Sequence, residues 1–198
     1  MSHSFEPSRH PLRNTFKLLP VSVGVVLPAG RPCRTKFAGA ASCGNSAVAA
    51  EAAVRQAVAG GMAFHTIALA DDHAVVRANL KKLLARETDF HLVAEADNGN
   101  VVVRLVTELQ PEILVTDLAM PGLDGLEVTR AVRQASPNTR VIIISVHKEE
   151  PYVVRALAGG ARGYVLKNNS GTDLIAALRA VLAGGRYLSP SFPSSLLD

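Results

Sequence analysis

The chain predicts an α/β domain built on a five-stranded, doubly wound parallel sheet with helices on both faces. Three observations carry that expectation. Five short apolar runs recur at helix-sized intervals, a helical period follows each, and reactive side chains stand where four of the runs stop. In an open parallel sheet, ligands bind in the crevice outside the carboxyl ends of the strands. Asp71, Asp72, Asp117, Ser145 and Lys167 are therefore expected to meet at one edge.

The elements follow in order. Thr66–Ala70 is the first apolar run and ends on the acidic pair Asp71 and Asp72; Val76, Leu80, Leu83 and Leu84 then share one helical face. Leu92–Ala96 is the second run, followed by the face of Val102, Leu105, Val106 and Leu109. Ile113–Thr116 ends on Asp117 and precedes a weaker helix over residues 123–135. Val141–Ile144 ends on Ser145, and the helix over 149–158 has Pro151 near its start, where proline is tolerated. Gly163–Leu166 ends on Lys167 and leads into Leu174, Ile175, Leu178, Val181 and Leu182 on one face. Runs this short and apolar suit strands buried on both sides. Right-handed crossovers then give a three-layer domain of about 125 residues with a substantial core.

At 198 residues the chain suits one domain plus an appendage. We divide it into an extension over 1–61, a folded domain over 62–188 and a tail or linker over 189–198. Of the 21 Lys and Arg and 17 Asp and Glu, residues 1–61 hold 7 and 2, leaving 14 and 15 for the rest. The basic balance thus belongs to the extension, and the near-neutral remainder makes no bulk electrostatic case for nucleic acid. Both cysteines, Cys33 and Cys43, also lie in the extension, so the folded part needs no disulfide and fits a reducing cytoplasm. The apolar stretch Leu18–Leu27 is broken by Pro20 and Gly24 and falls short of the about 20 residues a membrane span needs. A cleaved signal ending near Ala38-Gly39-Ala40 and an Arg-rich transit peptide are alternatives for this segment. The composition favours a disordered extension, or a start placed too early with Met62 the natural beginning; Ala47–Val58 could form a short helix.

Four separated strings carry a family resemblance: Ala70-Asp71-Asp72-His73, Thr116-Asp117-Leu118-Ala119-Met120-Pro121-Gly122-Leu123-Asp124-Gly125, Ile144-Ser145, and Gly163-Tyr164-Val165-Leu166-Lys167. Their order and spacing resemble the receiver domain of two-component response regulators over about Ile67 to Pro190. The resemblance implies a flavodoxin-like sheet of strand order 2-1-3-4-5. It also implies Mg²⁺ held by Asp72 and Asp117, by Asp71 mainly through water, and by the backbone carbonyl of Ala119. Asp117 would be the phosphoacceptor, with Lys167 on a phosphoryl oxygen and Ser145 and Tyr164 as the switch pair. Chemistry agrees with a cation: like charges about 4 Å apart cost on the order of 1 kcal/mol in water and roughly 4 at an effective dielectric of 20. Mg²⁺ takes oxygen ligands and relieves that repulsion.

Residue by residue, plainer readings stand beside these. Asp71 and Asp72 could cap the following helix, Asp117 could cap or turn, Lys167 could be a solvated strand-end lysine, and Tyr164 could be packing. The family often has a proline with a cis bond after the lysine; Asn168 stands there instead, leaving a strained non-proline cis bond open. Ala119 cannot orient a water, whereas His147, two residues beyond Ser145, could, so His147 is expected to dominate a modest self-hydrolysis.

The resemblance makes a sensor histidine kinase or phosphotransfer protein the expected partner and homodimerisation a consequence of phosphorylation. By the same analogy, residues 149–158, 163–166 and 172–183 form the output surface. Gly184-Gly185-Arg186-Tyr187-Leu188-Ser189-Pro190 is similar to the receiver ending of LuxR/FixJ-type, NarL-like regulators, where a linker and a helix-turn-helix follow. Ser191–Asp198 is too short for a recognition helix and its support, so no direct DNA binding is expected from this chain. Either it acts by protein contact, or it is a truncated DNA-binding regulator. An aspartate-nucleophile phosphatase would want a second acid where Ala119 stands, so no enzyme activity is expected beyond self-phosphorylation and slow dephosphorylation. A pseudo-receiver that only scaffolds partners would not need the acidic set.

Overall fold

The computed structural model describes residues 64–197, apart from the side chains of residues 169 and 170. The expectations for residues 1–61, including the helix over Ala47–Val58, lie outside the described residues. Six parallel strands form one sheet: β1 His65–Ala70, β2 Phe90–Ala96, β3 Ile113–Asp117, β4 Arg140–Ser145, β5 Gly163–Leu166 and β6 Tyr187–Leu188, ordered β2-β1-β3-β4-β5-β6. The helices between them are α1 Ala74–Leu84, α2 Gly99–Leu109, α3 Gly125–Ala135, α4 Glu150–Gly159 and α5 Ser170–Leu182. The flavodoxin-like α/β architecture is as expected.

The sheet has six strands where five were expected. Its sixth strand is two residues long, brought beside Gly163 and Tyr164 of β5 by the turn at Gly184 and Gly185. Two residues carry no period, so nothing in the pattern marks them as a strand.

Strand side chains alternate between the two faces. Ala68, Ala70, Leu114, Ile143, Tyr164 and Leu166 pack toward α2, α3 and α4, meeting Val102, Val106, Leu126, Val132, Val153 and Ala156. Ile67, Leu69, Ile113, Val115, Ile142, Ile144 and Val165 pack toward α1 and α5, meeting Leu80, Leu84, Leu174, Leu178 and Val181. Both faces of the central strands are therefore dry, which is why their sequences are apolar without alternation. The helix ends are set locally. Asp124 caps α3 by accepting the Glu127 amide at 2.7 Å, while the Glu127 carboxylate accepts the Asp124 amide at 2.9 Å, a reciprocal capping box.

Residues from Ser189 onward, divided off above as a tail or linker, lie against the domain. Ser189 is fully buried, and the Phe192 ring meets Tyr164 edge-on with centroids 5.6 Å apart. Among the described residues no helix is long and apolar enough to cross a membrane.

Candidate functional site

Parallel strands deliver their carboxyl ends to one edge, and the order β1-β3-β4-β5 makes four of those ends neighbours. Ala70 pairs with Thr116, Asp117 with Ile144, and Ser145 with Leu166, so the residues that end each strand stand side by side. Asp71, Asp117, Ser145 and Lys167 meet there.

Asp71 is fully buried and Asp117 nearly so. The Lys167 ammonium reaches between them, 2.6 Å from Asp117 Oδ2 and 2.7 Å from Asp71 Oδ2. Only the first is a directed hydrogen bond. The second is a charge contact without hydrogen-bond geometry, which leaves Asp71 Oδ2 as a buried side-chain oxygen without a hydrogen-bond partner. The other Asp71 oxygen accepts the His73 amide at 2.8 Å, and its carbonyl accepts Arg77 Nη1 at 2.6 Å. Asp72 is partly exposed, with Oδ1 2.6 Å from His73 Nδ1. The capping position of α1 is His73, whose side chain makes no capping bond. Neither aspartate caps α1, so the plainer reading of the pair fails. Lys167, at 12 % side-chain exposure, is not a solvated strand-end lysine either.

Lys167 meets two of the three carboxylates, and Asp72 lies beside the His73 ring. Burial pushes the Asp117 carboxyl above its ordinary range and the Asp71 charge adds to this, while the Lys167 hydrogen bond and charge and the Ala119 amide oppose it. For Lys167, burial works to lower the value, but the Asp117 hydrogen bond and the close carboxylate charges of Asp117 and Asp71 outweigh it and hold the ammonium above its usual range. Ligand atoms of Asp71, Asp72, His73 and Asp117 all lie within 4.8 Å of one another. An unpartnered buried carboxylate oxygen in an over-acidic cluster of oxygen donors fits a hard divalent cation. His73 belongs to this cluster although its sequence carried no separate signal; adjacency to the acidic pair was the only hint.

Ser145 is buried, and its Oγ accepts the His147 amide at 3.1 Å. Tyr164 is fully buried on the same face, and its hydroxyl donates to the His147 carbonyl at 3.1 Å. The His147 backbone thus joins the two residues. Its ring stacks on Tyr152 at 4.5 Å, with Nδ1 3.6 Å from Glu149 Oε2, and no hydrogen bond joins it to Asp117 among the described residues. Ala119 is exposed in the β3–α3 loop. The described peptide bonds, Lys167–Asn168 included, contain no cis bond.

Two features behind the site escaped sequence reasoning. Asp173, in the first turn of α5, is 7 % exposed and accepts the Ser189 hydroxyl at 2.8 Å, and Ser189 Oγ in turn accepts the Leu166 amide at 3.0 Å. This pair fixes the backbone just before Lys167. Gly125, which opens α3, presses on the acceptor strand: a Cβ there would overlap the Asp117 carbonyl oxygen and lie 2.9 Å from Leu118 Cα. Gly125→Ala is accordingly expected to destabilise the fold by about 1–3 kcal/mol, the usual range for overpacking, in urea unfolding. An unchanged midpoint would show that the β3–α3 contact is looser than this geometry.

Comparison with known proteins agrees with the arrangement. Residues 67–179 match the family model for the response regulator receiver domain. The chain is 37% identical over 131 residues to the transcriptional regulatory protein DegU of Brevibacillus brevis, covering 66% of this chain and 56% of that protein. It is 35% identical over 130 residues to the response regulator GacA of Pseudomonas aeruginosa, covering 66% and 61%. The chain thus spans about six-tenths of the length of these relatives. A two-component response regulator of the LuxR family from Aurantimonas superposes with a TM-score of 0.62 at 38% identity, over 65% of this chain and 91% of that one. The isolated receiver domain of RcsB from Salmonella enterica, solved with the phosphomimetic BeF₃⁻, gives 0.62 at 27% identity over 68% and 99%. With the family matched across more than half its residues, the chain belongs to the response regulator receiver domains of two-component systems.

Proposed function

We infer that Asp117 accepts a phosphoryl group from a histidine kinase or phosphotransfer protein, in the cytoplasm, and that the resulting acyl phosphate switches a protein-interaction surface. The observation that carries this reading is the pairing of Asp117 with Lys167 at 2.6 Å beside the buried Asp71 Oδ2, which meets the same ammonium at 2.7 Å and has no hydrogen bond. Asp71, Asp72, Asp117 and the Ala119 carbonyl would hold Mg²⁺, which screens charge between nucleophile and donor. An Asp117 oxygen attacks phosphorus in line as the P–N bond to the donor imidazole breaks. Lys167 then moves its ammonium from carboxylate to phosphoryl oxygen, a point-charge role suited to lysine. The domain catalyses this transfer to itself and its slow reversal by water, and no other reaction.

Ser145 and Tyr164 are the proposed relay. The Ser145 hydroxyl donates to the new phosphoryl group, giving up the His147 amide it now accepts, and the Tyr164 ring follows through its bond to the same residue. The surface over α4, β5 and α5 would carry the output. Homodimerisation is in keeping with a solved structure of two RcsB dimers bound to two parallel DNAs, and its dependence on phosphorylation is part of the proposal.

Mass analysis of the intact chain after incubation with a small phosphodonor tests the reading, comparing wild type with Asp117→Ala, with and without Mg²⁺. His147→Ala tests the lifetime: slower acyl-phosphate decay is expected if this ring leaves Tyr152 to orient water, and an unchanged half-life removes it from that role.

A further inference from the structure

At the opposite edge of the sheet, where the strands begin, a cavity of about 590 Å³ opens between the end of α3, the α3–β4 loop, the α4–β5 loop and the α5–β6 turn. Its volume lies within the roughly 300–1,000 Å³ range of small-molecule sites. Four arginines line it: Arg133, Arg140, Arg162 and Arg186. No Asp or Glu lines it, and among the described residues none of the four is within ion-pair distance of a carboxylate. What sets these four apart is their grouping around one cavity without an acid: Arg140 is half-buried in it, and Arg133, Arg162 and Arg186 stand exposed at its mouth.

The placement is built into the backbone. Arg140 opens β4 and Arg162 directly precedes β5, so the sheet register fixes their spacing: the Arg162 amide donates to the Val141 carbonyl at 2.7 Å. Arg133 crosses the αL residue Gly160, whose φ is 108°; a Cβ there would stand 3.0 Å from Arg133 Cδ. Glycine at this position both ends α4 and clears the arginine's path. Thr129 and Val141, both buried, line the inner wall, and no aromatic side chain offers a stacking platform.

We propose that this cavity binds a compact small molecule carrying two or more phosphoryl groups. Four guanidinium groups, of which Arg186 also donates to the Leu197 carbonyl at 3.4 Å, supply more positive charge than one phosphate needs, and their planar donors match phosphoryl oxygens in pairs. The lack of an aromatic platform points to the phosphates, not a base or ring, as the recognised part. The site stands at the far end of the strands from Asp117, so the ligand reports on a signal separate from phosphorylation.

Isothermal titration of the full chain with inorganic tripolyphosphate, without Mg²⁺, tests this. Saturable one-site binding that weakens with salt is expected, with citrate at least about tenfold weaker. Arg140→Gln with Arg162→Gln should weaken tripolyphosphate by roughly tenfold or more, while Arg162→Lys, which keeps the charge but loses the fork, should fall between. Phosphoryl uptake by these variants should match wild type, which shows that they fold. Amide NMR shifts should move at Gly160, Ala161 and Arg162. Citrate binding as tight as tripolyphosphate overturns phosphate recognition. No saturable binding, binding indifferent to the double substitution, or shifts confined to residues 1–63 overturns the site itself.

Discussion

Asp117→Ala is expected to abolish the gain of a phosphoryl group from a small phosphodonor, whereas the wild type gains one such group in the presence of Mg²⁺. The loss should be complete, because the variant retains every other part of the site but no nucleophile. Asp71 and Asp72 cannot substitute. Asp71 is fully buried with one oxygen committed to the His73 amide, and Asp72 lies against the His73 ring. Removing Mg²⁺ from the wild type should suppress uptake as well, since Lys167 alone leaves the cluster with excess negative charge facing an anionic donor. Uptake by both proteins, or by neither, sinks the assignment of Asp117.

Lys167→Met should have the largest effect on stability. Lys167 is the ammonium between two buried carboxylates, and removing one partner of a buried ionic cluster costs about 3–5 kcal/mol. Urea unfolding in metal-free buffer measures it. Two further outcomes separate this cause from simple misfolding. Mg²⁺ should restore part of the loss, because a ligand of the folded state alone stabilises by mass action. The loss should also shrink in acid. Asp117 already has a folded-state pKa above its ordinary 3.8, and losing Lys167 raises it further, so the folded state binds the extra proton. Its contribution therefore favours folding at low pH and declines as pH rises toward the folded-state value. A loss below about 1 kcal/mol, the scale of an exposed pair, would show that the cluster is more open to water than its burial indicates.

The sheet was legible because β1, β3 and β4 are buried on both sides: Ile67–Ala70, Ile113–Val115 and Val141–Ile144 had no freedom to carry polar residues. The convergence of Asp71, Asp117, Ser145 and Lys167 was legible because topology alone takes parallel strand ends to one edge. What escaped was short or shared. Tyr187–Leu188 is too brief to show a period, and Asp173 reads as an ordinary acid in a first helical turn because Ser189, its partner, lies sixteen residues on. His73 escaped for another reason. A histidine after two aspartates is a capping position by its backbone and a cluster member by its ring, and spacing does not separate those roles.

The short β6 strand and Ser189 also bear on how this molecule meets its neighbours. Without them β5 would be the last strand, with a row of open backbone groups inviting another chain to add on and grow a fibril. Instead the Arg162 carbonyl accepts from Tyr187, the Tyr164 carbonyl accepts from Ser189, and the Leu166 amide is held by the Ser189 hydroxyl. A side chain thus finishes a ladder that the backbone begins, and the edge left on this flank is a two-residue strand, too short to offer another chain much of a template.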